Sequence, residues 1–279
     1  MLIVKGLFAL ALVAGIAACA HAPGPVAYPY SDSSRVQLLG QLLPADVILL
    51  GEQHDAQDHQ RVHRLVVQTL ASQDALAALA LEMASQGRST AHLTPDASEE
   101  AVRSALQWSD DGWPWAAYGP AVMASVRAGV PVLGANLPRA GLRDAMANTG
   151  LDRLLSGPAL KAQQQSIRSG HCDMLPESQI APMARIQIAR DLAMAQTVSK
   201  AVQTGKTVVL LAGGAHVDRE LGVPLHLAPA VRAKAVLMQA EPLPEDLMAG
   251  SSFDAIWPAQ AAVAVDYCSK FGATRRAPA

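Results

Sequence analysis

The chain has 279 residues, 51% of them hydrophobic, enough to bury the core of one large α/β domain; this excludes a disordered protein and a disulfide miniprotein. Its 22 Lys and Arg against 24 Asp and Glu leave a formal charge of −2, with neither a basic field for nucleic acid nor an acidic tail. Aromatic residues are only 4%, so the core is aliphatic and any local gathering of aromatics is informative.

At the amino end, Lys5 precedes an apolar run from Gly6 to Ile16 and then small residues up to Cys19, the three-part layout of an export signal. The run is shorter than the ~20 residues that a permanent bilayer-spanning helix needs. It closes on Ile16-Ala17-Ala18-Cys19, which resembles the lipobox of bacterial lipoproteins, where cleavage before the Cys leaves that residue acylated. Residues 1–18 are therefore read as a signal peptide and Cys19 as the lipidation site, a durable anchor when it carries more than one acyl chain. Residues 19–35, with Pro23, Pro25 and Pro29, read as a tether.

From 36 to 272, short aliphatic runs alternate with longer helical patterns, the rhythm of one α/β domain with a mainly parallel central sheet flanked by helices. The spacing predicts strands at 46–50, 79–82, 130–135, 207–212, 235–239 and 262–266, and a helix from about Asp58 to Ala71. Between the third and fourth strands, residues 138–206 carry helix-forming Ala, Gln, Arg and Met and no convincing strand. Roughly seventy residues are too many for a simple crossover, which predicts a helical lobe over the carboxyl edge of the sheet or a partner surface. Residues 273–279 read as a tail. Cys172 and Cys268 either pair across a long loop or remain two buried thiols.

Chemistry concentrates where the strands end. The first run is followed by Gly51-Glu52-Gln53-His54-Asp55, the second ends at Glu82, the third at Asn136 and the fourth at Gly213-Gly214-Ala215-His216. Ligands of parallel α/β sheets sit beyond the carboxyl ends of the strands, so four polar strand ends point to one shared pocket. His59 and His63 stand four apart on one helix, but the intervening Gln60, Arg61 and Val62 do not make the zinc motif H-E-x-x-H. His63 is expected on the exposed side of that helix and His59 nearer the crevice.

Residues 108–118 hold Trp108, Trp113, Trp115 and Tyr118, four of the chain's eleven aromatics, a set able to line a site for a flat ligand or to plug a helix start. Tyr118 is a phenol that, deprotonated, can ligate ferric iron. Arg139 offers a guanidinium to carboxylates. Arg190 and Asp191 either join the site or pair with each other and their neighbours inside the lobe.

Together Gly51-Glu52-Gln53-His54-Asp55, Leu81-Glu82-Met83, Asn136-Leu137-Pro138-Arg139, the Gln187–Ala195 helix and Gly213-Gly214-Ala215-His216-Val217 with Gly222-Val223-Pro224 resemble the ChaN family, haem-binding lipoproteins of the Tiki/ChaN superfamily. The similarity runs from about residue 40 to 268. It implies an α/β domain with a helical lobe, anchored at the bacterial outer membrane, facing the periplasm and serving haem or iron uptake. Its ligand would be non-covalent haem, since no C-x-x-C-H attachment motif occurs. Axial candidates are Tyr118, His171 and His216, which the sequence leaves equal. The expected partners are haem, the bilayer through acylated Cys19, a second copy of the chain and an outer-membrane haem or iron receptor. The resemblance also implies relatives, Tiki proteases and erythromycin-esterase-like enzymes, that hydrolyse substrates at a Glu/His strand-end site. On that alternative reading, Glu52, His54, Glu82 and His216 bind a divalent metal or activate water directly. No Gly-x-Ser-x-Gly elbow names a nucleophile.

Overall fold

A computed structural model describes residues 31–241, 252–262 and 265–269. The signal peptide, Cys19, residues 20–30 of the tether and the tail lie outside the described residues. Six aliphatic runs form β1 (Val47–Glu52), β2 (Leu76–Ser85), β3 (Val132–Asn136), β4 (Thr207–Gly213), β5 (Ala233–Ala240) and β6 (Ala255–Ala259). They make a single parallel sheet in the order β3-β2-β4-β1-β5-β6. The central strands β1 and β4 are buried from end to end, which is why they read as unbroken apolar runs. Side chains alternate between two cores. Ile48 and Leu50 of β1 join Val209 and Leu211 of β4 on one face, while Val47 and Leu49 join Val208 and Leu210 on the other.

The first face is covered by α1 (Asp32–Leu42), α2 (Gln57–Ser72), α3 (Glu99–Leu106) and α4 (Trp115–Arg127). Helix α1 starts four residues before the boundary expected for the domain, capped by the Ser31 hydroxyl, which accepts from the Ser34 amide. A buried fork of Arg35 on Asp58, at 3.2 and 2.5 Å, clasps it to the first turn of α2. Asp58 also accepts the Gln260 amide beyond β6, so one carboxylate joins three segments.

The expected lobe is built from α5 (Leu142–Ala147), α6 (Gly157–Gly170) and the first half of α7 (Glu177–Ala201), packed around Ile186 and Ile188 and around Ile167 and Ile180. The second half of α7 lays Met194, Ala195 and Val198 on the other face of the sheet. Lobe and sheet are thus joined by one continuous helix. Among the described residues no helix is long and apolar enough to cross a membrane.

The sixth strand corrects the sequence expectation. It lies at Ala255–Ala259, pairing Val236 with Ala255 through Ala240 with Ala259, and not at 262–266. Residues 262, 265 and 266 carry no strand, and 263–264 lie outside the described residues. Pro258 obscures the strand in the sequence, yet an edge strand tolerates a proline. β1 also runs two residues further than expected, taking in Gly51 and Glu52.

Cys172 and Cys268, 96 residues apart, form a disulfide with their Cα atoms 5.6 Å apart. It ties the turn after α6 to a helical turn near the carboxyl end, residues 267–269.

Candidate functional site

Sheet order sets the place of the site. From β1 the chain leaves to α2 on one face, whereas from β4 it leaves through short turns at 214–217 and 223–226, the latter packing on α7. Neighbouring strands whose connections depart to opposite faces open a crevice between them. Gly51 keeps that junction tight: a Cβ there would lie 2.4 Å from Val217 Cγ2 and 3.0 Å from the Gly214 Cα.

The crevice has a volume of about 580 Å³. Its sheet wall carries Glu52, His54 and Asp55 from the β1 exit, Glu82 from β2, and Gly213, Ala215 and His216 from the β4 exit. Its lobe wall carries Gln163, Ser166, Ile167 and His171 from α6 and its end, and Gln187, Arg190 and Asp191 from α7. Tyr267, beside the disulfide, closes the rim.

Two hydrogen-bonded networks form the sheet wall, with Glu52, Tyr118, Glu82 and His216 buried and His54 half-exposed. In the first, Glu52 Oε1 accepts from His54 Nδ1 at 2.6 Å and from the Tyr118 hydroxyl at 2.5 Å. Burial pulls the His54 pKa down, but the hydrogen bond to Glu52 and the nearby Glu82 charge outweigh it, so the imidazole sits above its ordinary value. Burial and the Glu52 carboxylate push the Tyr118 phenol above the ordinary tyrosine range, so it stays protonated. Behind Glu52 lie His63, with Nδ1 3.7 Å from Oε2, and His59, whose Nδ1 accepts the Gln53 amide at 2.9 Å. That bond places the His59 proton on Nε2. Burial and the neighbouring His63 lower the His59 pKa to about 4, so it is neutral in ordinary buffers.

In the second network His216 Nδ1 donates to Asp191 at 2.6 Å and Nε2 lies 3.5 Å from Glu82, whose other oxygen accepts the Gly213 amide at 2.8 Å. Burial alone would depress His216, but Glu82 and Asp191 together raise it to about 10. This side chain is an imidazolium with both nitrogens engaged. Asp191 therefore gives its hydrogen bond to His216, and the Arg190 charge also acts on it.

Three of the four strand ends meet here. The third does not: β3 is an edge strand beyond β2, and neither Asn136 nor Arg139 lines the crevice. Arg139 is exposed on the turn after Pro138. Tyr118 and His59 lie beneath the wall, fully buried. His63 overturns its expected exposure, being 1% exposed, because it falls on the apolar stripe with Val62, Val66, Val67 and Leu70. Trp108 donates its indole N–H to the Trp113 carbonyl and packs against the core, a plug and not a wall of the crevice, while Trp113 meets the His54 ring edge-on at 4.7 Å. The metal set expected of Glu52, His54, Glu82 and His216 finds no support, since among the described residues no three His, Cys, Asp or Glu side chains are grouped to hold an ion.

Sequence reasoning missed Tyr267, Gln163, Ser166 and Gln187. The one usable signal was the pairing of Cys172, next to His171, with Cys268, next to Tyr267.

A parallel α/β domain with a strand-end crevice of this size, polar on two sides, is a small-ligand binding architecture. The chain belongs to the family described as haem-binding uptake, Tiki superfamily, ChaN, whose model matches residues 38–227. A solved structure described as cofacial haem binding to ChaN of Campylobacter jejuni aligns at 25% identity, covering 75% of this chain and 87% of that one, with a TM-score of 0.64. Lower similarity extends to an erythromycin esterase in its open conformation (13% identity, TM-score 0.46, 75% of this chain and 74% of that one). A type III effector aligns at 13% identity and a TM-score of 0.45, over 81% of this chain and 93% of that one. No curated protein matches the chain.

Proposed function

We propose that this protein is a haem-handling lipoprotein of the bacterial envelope and that the strand-end crevice holds non-covalent haem. The observation that carries the reading is a crevice of about 580 Å³, within the range of small-ligand sites, in a chain of the haem-binding uptake family. Haem requires an iron-facing group, and the wall residues differ in fitness for it. His216 has both nitrogens committed as an imidazolium, and Tyr118 is buried with its hydroxyl given to Glu52. His171, the remaining axial candidate, lines the cavity, with Nδ1 2.8 Å from the Ile167 carbonyl. When bound, haem would supply the iron chemistry; the chain orients it and sets the polarity around it.

Titrating the purified chain with haemin and following the Soret band tests this. Saturable uptake, weakened at least about tenfold by His171→Ala, the scale of losing about 1.4 kcal/mol, is expected. A flat titration would sink the reading.

Anchorage belongs to the same proposal. Acylation of Cys19 holds the domain at the outer membrane facing the periplasm, where a second copy and a haem or iron receptor are the partners. Palmitate labelling in cells should vanish in Cys19→Ser, and labelling that persists overturns the anchor.

One observation favours a second reading, metal-free hydrolysis. His54, with a half-exposed side chain oriented by Glu52, has the arrangement of a general base.

A further inference from the structure

The two helices of the lobe wall are held differently. Helix α7 lies on the sheet through Met194, Ala195 and Val198, and its Asp191 bonds His216 at the β4 exit. Helix α6 packs on α7 and the turns beside it; among the described residues, the hydrophobic clusters that hold it contain no strand residue. Its carboxyl end is paired with α7 through Arg168 and Glu177. Across the mouth of the crevice that end meets residues 265–269, where neighbouring side chains hold opposite walls. The Tyr267 hydroxyl donates to Asp55 on the sheet wall, and Cys268 is bonded to Cys172, next to the crevice-lining His171. The bridge itself is open to solvent: Cys268 is exposed, Cys172 is half-buried, and neither belongs to a hydrophobic cluster. Cys172 and Asp173 both stand in the left-handed region, with φ of +58° and +55°, which a residue carrying a Cβ resists. Exposed or strained bridges are the ones that exchange with other thiols.

We propose that the Cys172–Cys268 bridge is a thiol-exchange site for a dithiol reductant, and that its reduction frees the end of α6 from the sheet wall and opens the crevice. A thiolate of the reductant attacks the Cys268 sulfur, the more exposed of the two, and Cys172 leaves as a thiolate. The second thiol of the reductant then attacks the mixed disulfide, and Cys268 leaves in the same way. Water protonates both cysteines, two electrons pass to the protein, and the reductant ends as its own disulfide. Only non-covalent contacts then hold residues 265–269 against α6. The exchange involves no bound ligand, so it is independent of what fills the crevice.

The test uses the full oxidised chain, dithiothreitol as the dithiol, and free thiols counted by mass after alkylation. In native buffer the bridge should open within about tenfold of its rate in denaturant, as expected for an accessible disulfide. A bridge that opens only as fast as the whole chain unfolds overturns the exchange site. Hydrogen exchange then reads the walls. In the reduced chain the amides of residues 163–173 and 53–55 should exchange at least about tenfold faster, the sign of local opening, while β1 and β4 keep their protection. Reoxidation with oxidised glutathione should restore the first pattern. The double variant Cys172→Ser with Cys268→Ser should match the reduced chain, which separates loss of the bridge from any effect of free thiols. Unchanged exchange at both segments in the reduced chain overturns the opening. Lost protection in β1 and β4 overturns it too, because the bridge would then hold the whole fold and not the crevice.

Discussion

Replacing His216 with alanine is expected to destabilise the protein by about 3–5 kcal/mol, the scale of breaking a buried ion cluster from one side. Glu82 and Asp191 would face each other in the interior with no cation between them. Asp191 shows that the cluster is already short of positive charge: burial raises its pKa to about 6 even with His216 beside it. His216→Gln should recover only part of the loss, because the amide restores a hydrogen bond but no charge.

The pH dependence follows from the sign of each shift. His216 rises from its ordinary 6.5 to about 10, so the native state holds a proton that the unfolded chain releases. Its contribution is complete below about pH 6.5 and is lost progressively as pH climbs toward 10. Glu82 shifts the other way: burial opposes its charge, but His216 prevails and holds it near 2. Its contribution is present above about pH 4.5 and disappears as pH falls toward 2. Urea midpoints measured from pH 4 to 10 should fall on the alkaline side in the wild type and flatten there in His216→Ala. An alanine variant within about 1 kcal/mol of wild type at pH 7, less than the usual cost of breaking a buried pair, would show that the three side chains do not form such a cluster.

How much of this was readable beforehand depended on where the determining contact lies. β1 and β4 announce themselves because a strand buried on both faces is an unbroken aliphatic run, and Glu52, Glu82 and His216 follow as the first polar residues after such runs. Their convergence with one another, and not with Asn136, depends on strand order, which leaves no periodic trace: β4 inserts between β2 and β1, while β3 is left at the edge. His63 was legible, since its position relative to Val66, Val67 and Leu70 already defines a buried stripe. Tyr118 bonds Glu52 across 66 residues, and the lobe wall meets the sheet wall only through the course of α7; no local pattern encodes either. β6 was missed because Pro258 is a strand breaker everywhere except at an edge.

The second large effect concerns the strap that closes the crevice. Residues 265–269 include no buried side chain, and Tyr267 is 55% exposed. The Tyr267 hydroxyl donates to Asp55 at 2.5 Å, an exposed bond worth about 0.5–1.5 kcal/mol. Ordering backbone costs about 1–2 kcal/mol per residue, so that bond cannot by itself hold the segment over the crevice. The Cys172–Cys268 crosslink, spanning 96 residues, adds a covalent tie that outlasts such contacts. In Cys268→Ser the strap should therefore detach in the native state. Chymotrypsin should then cut after Tyr267 under native conditions at least about tenfold faster than in the oxidised wild type, as expected for an exposed, weakly held segment. The global loss of stability should stay below the about 4–5 kcal/mol that chain entropy gives for a loop of this length. The freed strap regains entropy in the folded state as well as in the unfolded one, and that gain offsets part of the difference. Equal protection of Tyr267 in both forms would mean that packing, not the disulfide, holds the rim of the crevice in place.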